Sequence, residues 1–157
     1  KFNFDISEVG SFTILNVISM GVFSYLSGYI GDKHGHKTSM LLAYLFHFTA
    51  VILAIFSKNM FWVYCIFISL GAGQGAFMPS AMNLIYDFAD TGDKKTYMAL
   101  IDSFLAPFAI LFITGIGFLV NDNKFVLSFY IVGFCLFISI IILHFFVKDP
   151  KPNKLSH

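Results

Sequence analysis

The sequence predicts an all-α, polytopic membrane protein, a bundle of five spanning helices. Three observations carry this. The 157 residues are 57% apolar and only 12% charged, with a mean hydropathy of +0.78, whereas soluble domains run at about 45–50% apolar and about 25% charged. Five apolar runs reach the length of about 20 residues needed to cross about 30 Å of hydrocarbon at about 1.5 Å per residue. None of them shows the alternation of a membrane barrel, and backbone groups in lipid must be satisfied within a helix or a closed sheet.

Taken in order, the runs cover about 10–31, 38–57, 60–86, 96–120 and 125–147. The first ends in the glycine-punctuated loop GYIGDKHGHKTSML, residues 28–41. The second and third are joined by Ser57-Lys58-Asn59, the third and fourth by Asp87 to Lys95, and the last two by Asn121 to Lys124. Residues 1–147 thus form one transmembrane helical domain, and KDPKPNKLSH, residues 148–157, is a polar tail. The chain begins with Lys1 and carries no signal-peptide pattern, so it reads as a piece of something longer.

Lysine placement orients the bundle. Lys33, Lys37, Lys94, Lys95, Lys148, Lys151 and Lys154 fall on one side, and Lys1, Lys58 and Lys124 on the other. The positive-inside rule then puts the glycine-punctuated loop and the C-terminus in the cytoplasm and the N-terminus outside.

Several functions are disfavoured. Ten lysines against nine acidic residues, with no arginine, leave no basic surface for nucleic acid. Cys65 and Cys135 lie alone within apolar runs and read as buried free thiols. There is no HExxH, no phosphate-binding loop and no nucleophile motif, so neither enzyme chemistry, metal nor cofactor is expected, and direct ATP coupling is disfavoured.

The 28–41 loop is denser in chemistry than a plain turn. Gly28 is placed to let a helix end approach its neighbour. Gly35 permits a positive φ. Asp32 can face a helix N-terminus, and Lys33 and Lys37 suit an anionic headgroup zone. On residues alone, a tight turn and a gating hinge are equally good readings. The order Gly28, Ile30, Gly31, Asp32, Lys33, Gly35, His36, Lys37, Leu41 resembles the signature G-x-L-a-D-r-x-G-r-k-x-x-l of the major facilitator superfamily. His36 stands where arginine is usual, so that position lacks a permanent charge.

The resemblance implies a gating loop formed by Gly28, Gly31, Asp32, Lys33, Gly35, His36 and Lys37. The acidic stretch and glycine-containing fourth run look like the region around helices ten to twelve of bacterial members, which would make the five runs helices eight to twelve. Helices two to six are the competing placement. A bacterial inner membrane is the implied location.

Polar residues inside the runs are costly and so become candidates for a solute or ion cavity. Asp102 lies about two turns into the fourth run, where it either binds a proton, cation or amine, or merely stabilises the helix start near the headgroups. Gln74 lies within GAGQGAFMP, flanked by Gly71, Gly73 and Gly75, with Pro79 able to bend the helix; packing of small residues against a neighbour is the competing reading. Asn16 is the third candidate, and Pro107 a second position of helix flexibility. His47 and His144 read as packing or interfacial groups. Asp87, Asp90 and Asp93 with Lys94 and Lys95 read as a solvated loop, with an ion-pair latch against residues 33–37 as the alternative.

The expected function is secondary transport of a small solute by alternating access, with a proton or other ion as the coupling partner. This chain would supply less than one half-bundle, and an N-terminal transporter half would supply the rest. A non-transporting scaffold or truncated remnant, and a helical subunit of another complex, remain open at this point.

Overall fold

The computed structural model describes residues 6–88, 93–121 and 125–148. Five helices occupy them: α1 Ile6–His34, α2 His36–Phe56, α3 Met60–Phe88, α4 Lys94–Asn121 and α5 Phe125–Phe145. All five are long and apolar enough to cross a membrane. The chain is therefore an all-helical, multi-pass membrane protein, and no strand occurs among the described residues. Lys1, Asp90, Lys124, Lys151, Lys154 and the tail beyond Lys148 lie outside the described residues.

Local chemistry sets the helix ends. α1 and α2 are separated by one residue, Gly35, at φ 90 and ψ 145. Its N–H still donates to the Gly31 carbonyl at 2.9 Å, and its own carbonyl accepts from Thr38 at 3.1 Å. The chain thus reverses with both backbone groups of Gly35 paired. Asn59 opens α3 by accepting the Trp62 N–H at its carbonyl, 3.2 Å. Asp93 caps α4: its carboxylate accepts from the Lys95 N–H at 3.1 Å and from the Thr96 hydroxyl at 2.7 Å.

Packing is carried by small residues. α3 lies between α1 and α2, and Ala43, Ala72, Ala76, Gly71, Gly73, Gly75, Ser27, Ser39 and Ser80 are all buried. Lipid tails are as apolar as leucine, so close backbone approach and interhelical hydrogen bonds hold such helices together rather than expulsion of water. Aromatic pairs flank the seams: Phe12 stacks on Phe67 at 5.1 Å, Phe23 meets Phe46 edge-on at 4.8 Å, and Tyr44 meets Phe77 at 5.8 Å. α5 packs on α2, with Gly133 placed over Val51. α4 is different. None of its described residues is buried, and it only brushes α3 and α5.

Exposed hydroxyls fold back onto their own helices. Ser11, Thr13, Thr38 and Thr49 each donate to a carbonyl four residues earlier, at 2.8–3.1 Å. This satisfies them without water.

Candidate functional site at the Gly35 junction and the α1–α3 seam

The sequence-predicted loop forms a compact junction at one end of the bundle. Because α2 starts immediately after Gly35, the first two residues of α2 are thrown in different directions. His36 packs onto Gly31, where any side-chain carbon would collide with the imidazole ring. Its side chain is 14% exposed, its Nε2 lies 4.0 Å from Oδ2 of Asp87 near the end of α3, and its Nδ1 is buried without a hydrogen-bond partner. Lys37 reaches the other way and donates from Nζ to the His144 carbonyl, 2.9 Å away in the last turn of α5. One turn further on, the buried Ser39 hydroxyl donates to the Ser27 carbonyl at 2.6 Å, tying α2 back to α1.

Other loop residues sit differently. Asp32 and Lys33 are exposed. At Gly28 a Cβ would meet nothing within 4 Å among the described residues. Gly31 allows the close approach, one turn later on the face that receives His36. Asp87 and Asp93 also depart from a merely solvated loop. Asp87 faces His36. The Thr96 hydroxyl, and then the Lys95 N–H, hold the Asp93 carboxyl below the usual carboxylate range. Lys94 lies over the Tyr86 ring, 5.6 Å from its centroid.

The cavity candidates are not brought together by what they touch. Asn16, half-buried, donates its amide to the Phe67 carbonyl at 3.0 Å. Gln74 and Asp102 are exposed. Gly71, Gly73 and Gly75 have a packing function. Gly71 is pressed against the Asn16 carbonyl, Gly75 against the Met20 carbonyl, and Gly73 accepts the His47 ring of α2. Gly71 and Gly75 are four residues apart, so they lie on one face of α3 and let α1 approach at backbone distance. His47 itself donates from Nδ1 to its own Ala43 carbonyl at 2.8 Å. Pro79 lies inside α3 and Pro107 inside α4.

A chain of buried serines runs along the same seam and was not singled out from the sequence. Ser19 donates to the Ile68 carbonyl at 2.8 Å. Ser27 donates to the Ala76 carbonyl at 3.0 Å, so at their 2.8 Å contact Ser80 is the donor to Ser27. The signal was present: Asn16, Ser19 and Ser27 repeat near a helical period on α1, opposite the small residues of α3.

Two grooves involve the packed helices of the bundle, apart from a shallow one on the face of α4. One of about 550 Å³ lies between α2 and α5 and is lined by Phe48, Ile52, Phe129 and Phe134 among others. The other, about 200 Å³, is lined by Phe23, Ser27, Ser39 and Phe46. Asn16, Gln74 and Asp102 line neither. Among the described residues no group of three or more His, Cys, Asp or Glu side chains could hold a metal ion.

Comparison with known proteins agrees with this architecture. The family model described as Major Facilitator Superfamily matches residues 1–157. Niacin transporter NiaP of Acinetobacter baylyi is 24% identical over 98 residues, covering 62% of this chain and 22% of the relative. The protein TsgA homolog of Buchnera aphidicola subsp. Baizongia pistaciae is 25% identical over 136 residues, covering 84% of this chain and 34% of the relative. The chain thus spans about a fifth to a third of the length of these curated relatives.

Proposed function

Because the chain belongs to the Major Facilitator Superfamily, we propose that it is part of a secondary transporter that moves a small solute by alternating access. The observation that carries this is the family match along the full 157 residues, over helices long enough to span a membrane. In this reading the five helices make up most of one half-bundle, as helices eight to twelve. A further half, with the remaining helix, completes the path. In this reading the membrane is a bacterial inner membrane, and the lysine bias favours a cytoplasmic Gly35 junction with the N-terminus of this chain outside.

Within that frame the packing suggests a division of labour. α1, α2 and α3 are joined by backbone-distance contacts and buried hydroxyls, so they move as one body against the missing half. Gly28, Gly31, Asp32, Lys33, Gly35, His36 and Lys37 form the gate end of that body. α4, with no buried side chain among its described residues, supplies surface for the missing helices and presents Asp102 to the path. Gln74, exposed on α3, and Asn16, half-buried on α1, are the other cavity residues.

Sided thiol labelling of the full-length protein tests the mechanism without knowledge of the solute. Cys65 and Cys135 are replaced by serine, and Gln74→Cys and Asp102→Cys are probed with an impermeant reagent from each face of the membrane. Alternating access predicts labelling from both faces, with the two rates changing in opposite directions when an ion gradient is imposed. Labelling from one face under every condition overturns it. Coupling through Asp102 is tested separately: Asp102→Asn then abolishes pH-driven uptake, and unchanged uptake removes Asp102 from the coupling path. Reading the coding frame upstream of Lys1 tests the placement, which requires about seven further hydrophobic spans.

A further inference from the structure

We infer that the groove between α2 and α5 seats one acyl chain of an anionic phospholipid, and that Lys58 holds its phosphate. The groove has a volume of about 550 Å³, within the range of about 300–1,000 Å³ found for sites that take small molecules. Its shape follows from how the two helices are tied. Gly133 on α5 lies over Val51 on α2, and the Phe48 and Phe137 rings meet at 6.3 Å, so the helices run antiparallel. Farther toward the Gly35 junction, Lys37 joins α2 to the His144 carbonyl. The groove is thus closed toward the junction and runs along α2 from Phe48 to Phe56, the last residue of that helix.

Length decides between occupants. From Phe48 to Phe56, at about 1.5 Å per residue, is roughly 12 Å. A spanning helix needs a contact of about 30 Å, whereas one leaflet contributes about 15 Å of hydrocarbon. The groove therefore suits a chain from one leaflet and is too short for a helix. Its lining is aromatic and apolar except at Tyr130. The register of the two helices sets Tyr130 about level with Phe56, at the open end, and its hydroxyl makes no hydrogen bond among the described residues. A phenol at that level suits the ester region of a phospholipid.

Charge then selects the headgroup. Lys58 stands two residues beyond Phe56 and is exposed. Its neighbours close the α2–α3 turn: the Ser57 hydroxyl donates to the Ala54 carbonyl at 3.0 Å, and the Asn59 carbonyl accepts from the Trp62 N–H at 3.2 Å. Lys58 makes no ion pair or hydrogen bond among the described residues, and its apolar stem lets the ammonium settle at headgroup depth. Seating the chain itself gains little, because lipid tails are as apolar as the groove. The preference comes from the ammonium. One lysine beside anionic lipid is worth about 1 kcal/mol, or about fivefold in occupancy. The site needs only the membrane fold, so it stands or falls apart from the transport reading.

The experiment is photolabelling of the full-length protein in lipid nanodiscs. Phosphatidylglycerol and phosphatidylcholine probes carry the same diazirine-bearing acyl chain, and labelled peptides are mapped by mass spectrometry. Labels are expected on α2 between Phe48 and Phe56 and on α5 around Gly133, with phosphatidylglycerol favoured about fivefold. Lys58→Gln should bring the two probes level while keeping the label in the groove, and Lys58→Arg should keep the preference. Ile52→Trp, which fills the groove from a lining position that is 40% exposed, should reduce labelling by both probes. Equal labelling of the unsubstituted protein overturns the inference, as does a preference that survives Lys58→Gln. Absence of label from both groove walls also overturns it, since another helix or a second copy then covers them.

Discussion

The ammonium of Lys37 donates a hydrogen bond to the carbonyl oxygen of His144 at 2.9 Å, joining the first turn of α2 to the last turn of α5 across 107 residues. The last carbonyls of a helix have no partner within it, and they carry the negative end of its dipole. A lysine is the side chain suited to both needs, and Lys37 meets them from another helix. Replacing it with methionine keeps the apolar stem and removes the donor. The expected cost is about 0.3–1 kcal/mol, and amides in the last turn of α5 should exchange faster. Lys37→Arg should restore both. Hydrogen exchange and thermal unfolding of the purified protein provide the check, and unchanged exchange in α5 would remove the cap.

Gly71 and Gly75 should tolerate nothing larger than hydrogen. A methyl group at either meets a backbone carbonyl of α1, which cannot swing aside as a side chain can. Gly71→Ala and Gly75→Ala are therefore expected to cost about 1–3 kcal/mol, the range for an overfilled contact. Gly115 and Gly117 on α4 meet nothing within 4 Å. Alanine there should be neutral or mildly stabilising in the isolated chain, since it raises helix propensity. Unfolding of the four variants in mixed micelles separates the two pairs. Equal behaviour would contradict the seam.

At Gly35 the demand is conformational. With φ at 90, a side chain is strained whatever space surrounds it, at a cost of order 1–3 kcal/mol. Gly35→Ala should loosen the α1–α2 junction. Protease sensitivity at the junction, compared with Gly28→Ala, reads this out. Gly28 has open space and no positive φ, so its alanine variant should behave like the parent.

The cap at Asp93 gives a pH dependence of known sign. Its folded-state carboxyl is held low by the Thr96 hydroxyl and the Lys95 N–H. Its contribution is therefore complete above the unfolded carboxylate range and is lost as pH falls through the lowered folded value. The group is fully exposed, so the effect is confined to the first turn of α4. Amide exchange there should accelerate on acidification to below about pH 4, and Asp93→Ala should show the fast rate at every pH. An unaltered profile in Asp93→Ala would show that the cap does not act.

The spans were legible because lipid imposes a length and a composition, and α2, α3 and α5 follow that signal closely. Gly35 was legible for a similar reason, since a turn of one residue leaves few alternatives to glycine. Which glycine of the loop meets a neighbour within this chain was not legible, because a glycine near a helix end carries no record of which face its neighbour occupies. Gly31, three residues on, lies on the packed face. The serine chain escaped notice because Ser19, Ser27, Ser39 and Ser80 are small and common, and only their pairing across α1, α2 and α3 gives them weight. Nothing in the sequence distinguished α4 from its neighbours in apolar content, yet it is the helix left unburied. Partnership depends on what else is present, and apolar content in a lipid-spanning helix does not record it.

The distance in sequence between Lys37 and its acceptor has a consequence for synthesis. At about 5–20 residues per second, the ribosome delivers the His144 carbonyl roughly 5–20 s after Lys37, from their separation of 107 residues. Through that interval α1, α2 and α3 can already dock, because the residues that make their mutual glycine and serine contacts all precede α4 in the chain. The lysine waits as an open hook. Its closure marks the arrival of α5 at its place beside α2, so a chain cut short before that helix leaves the nascent assembly with an unfilled cation at the membrane surface, where quality control can find it.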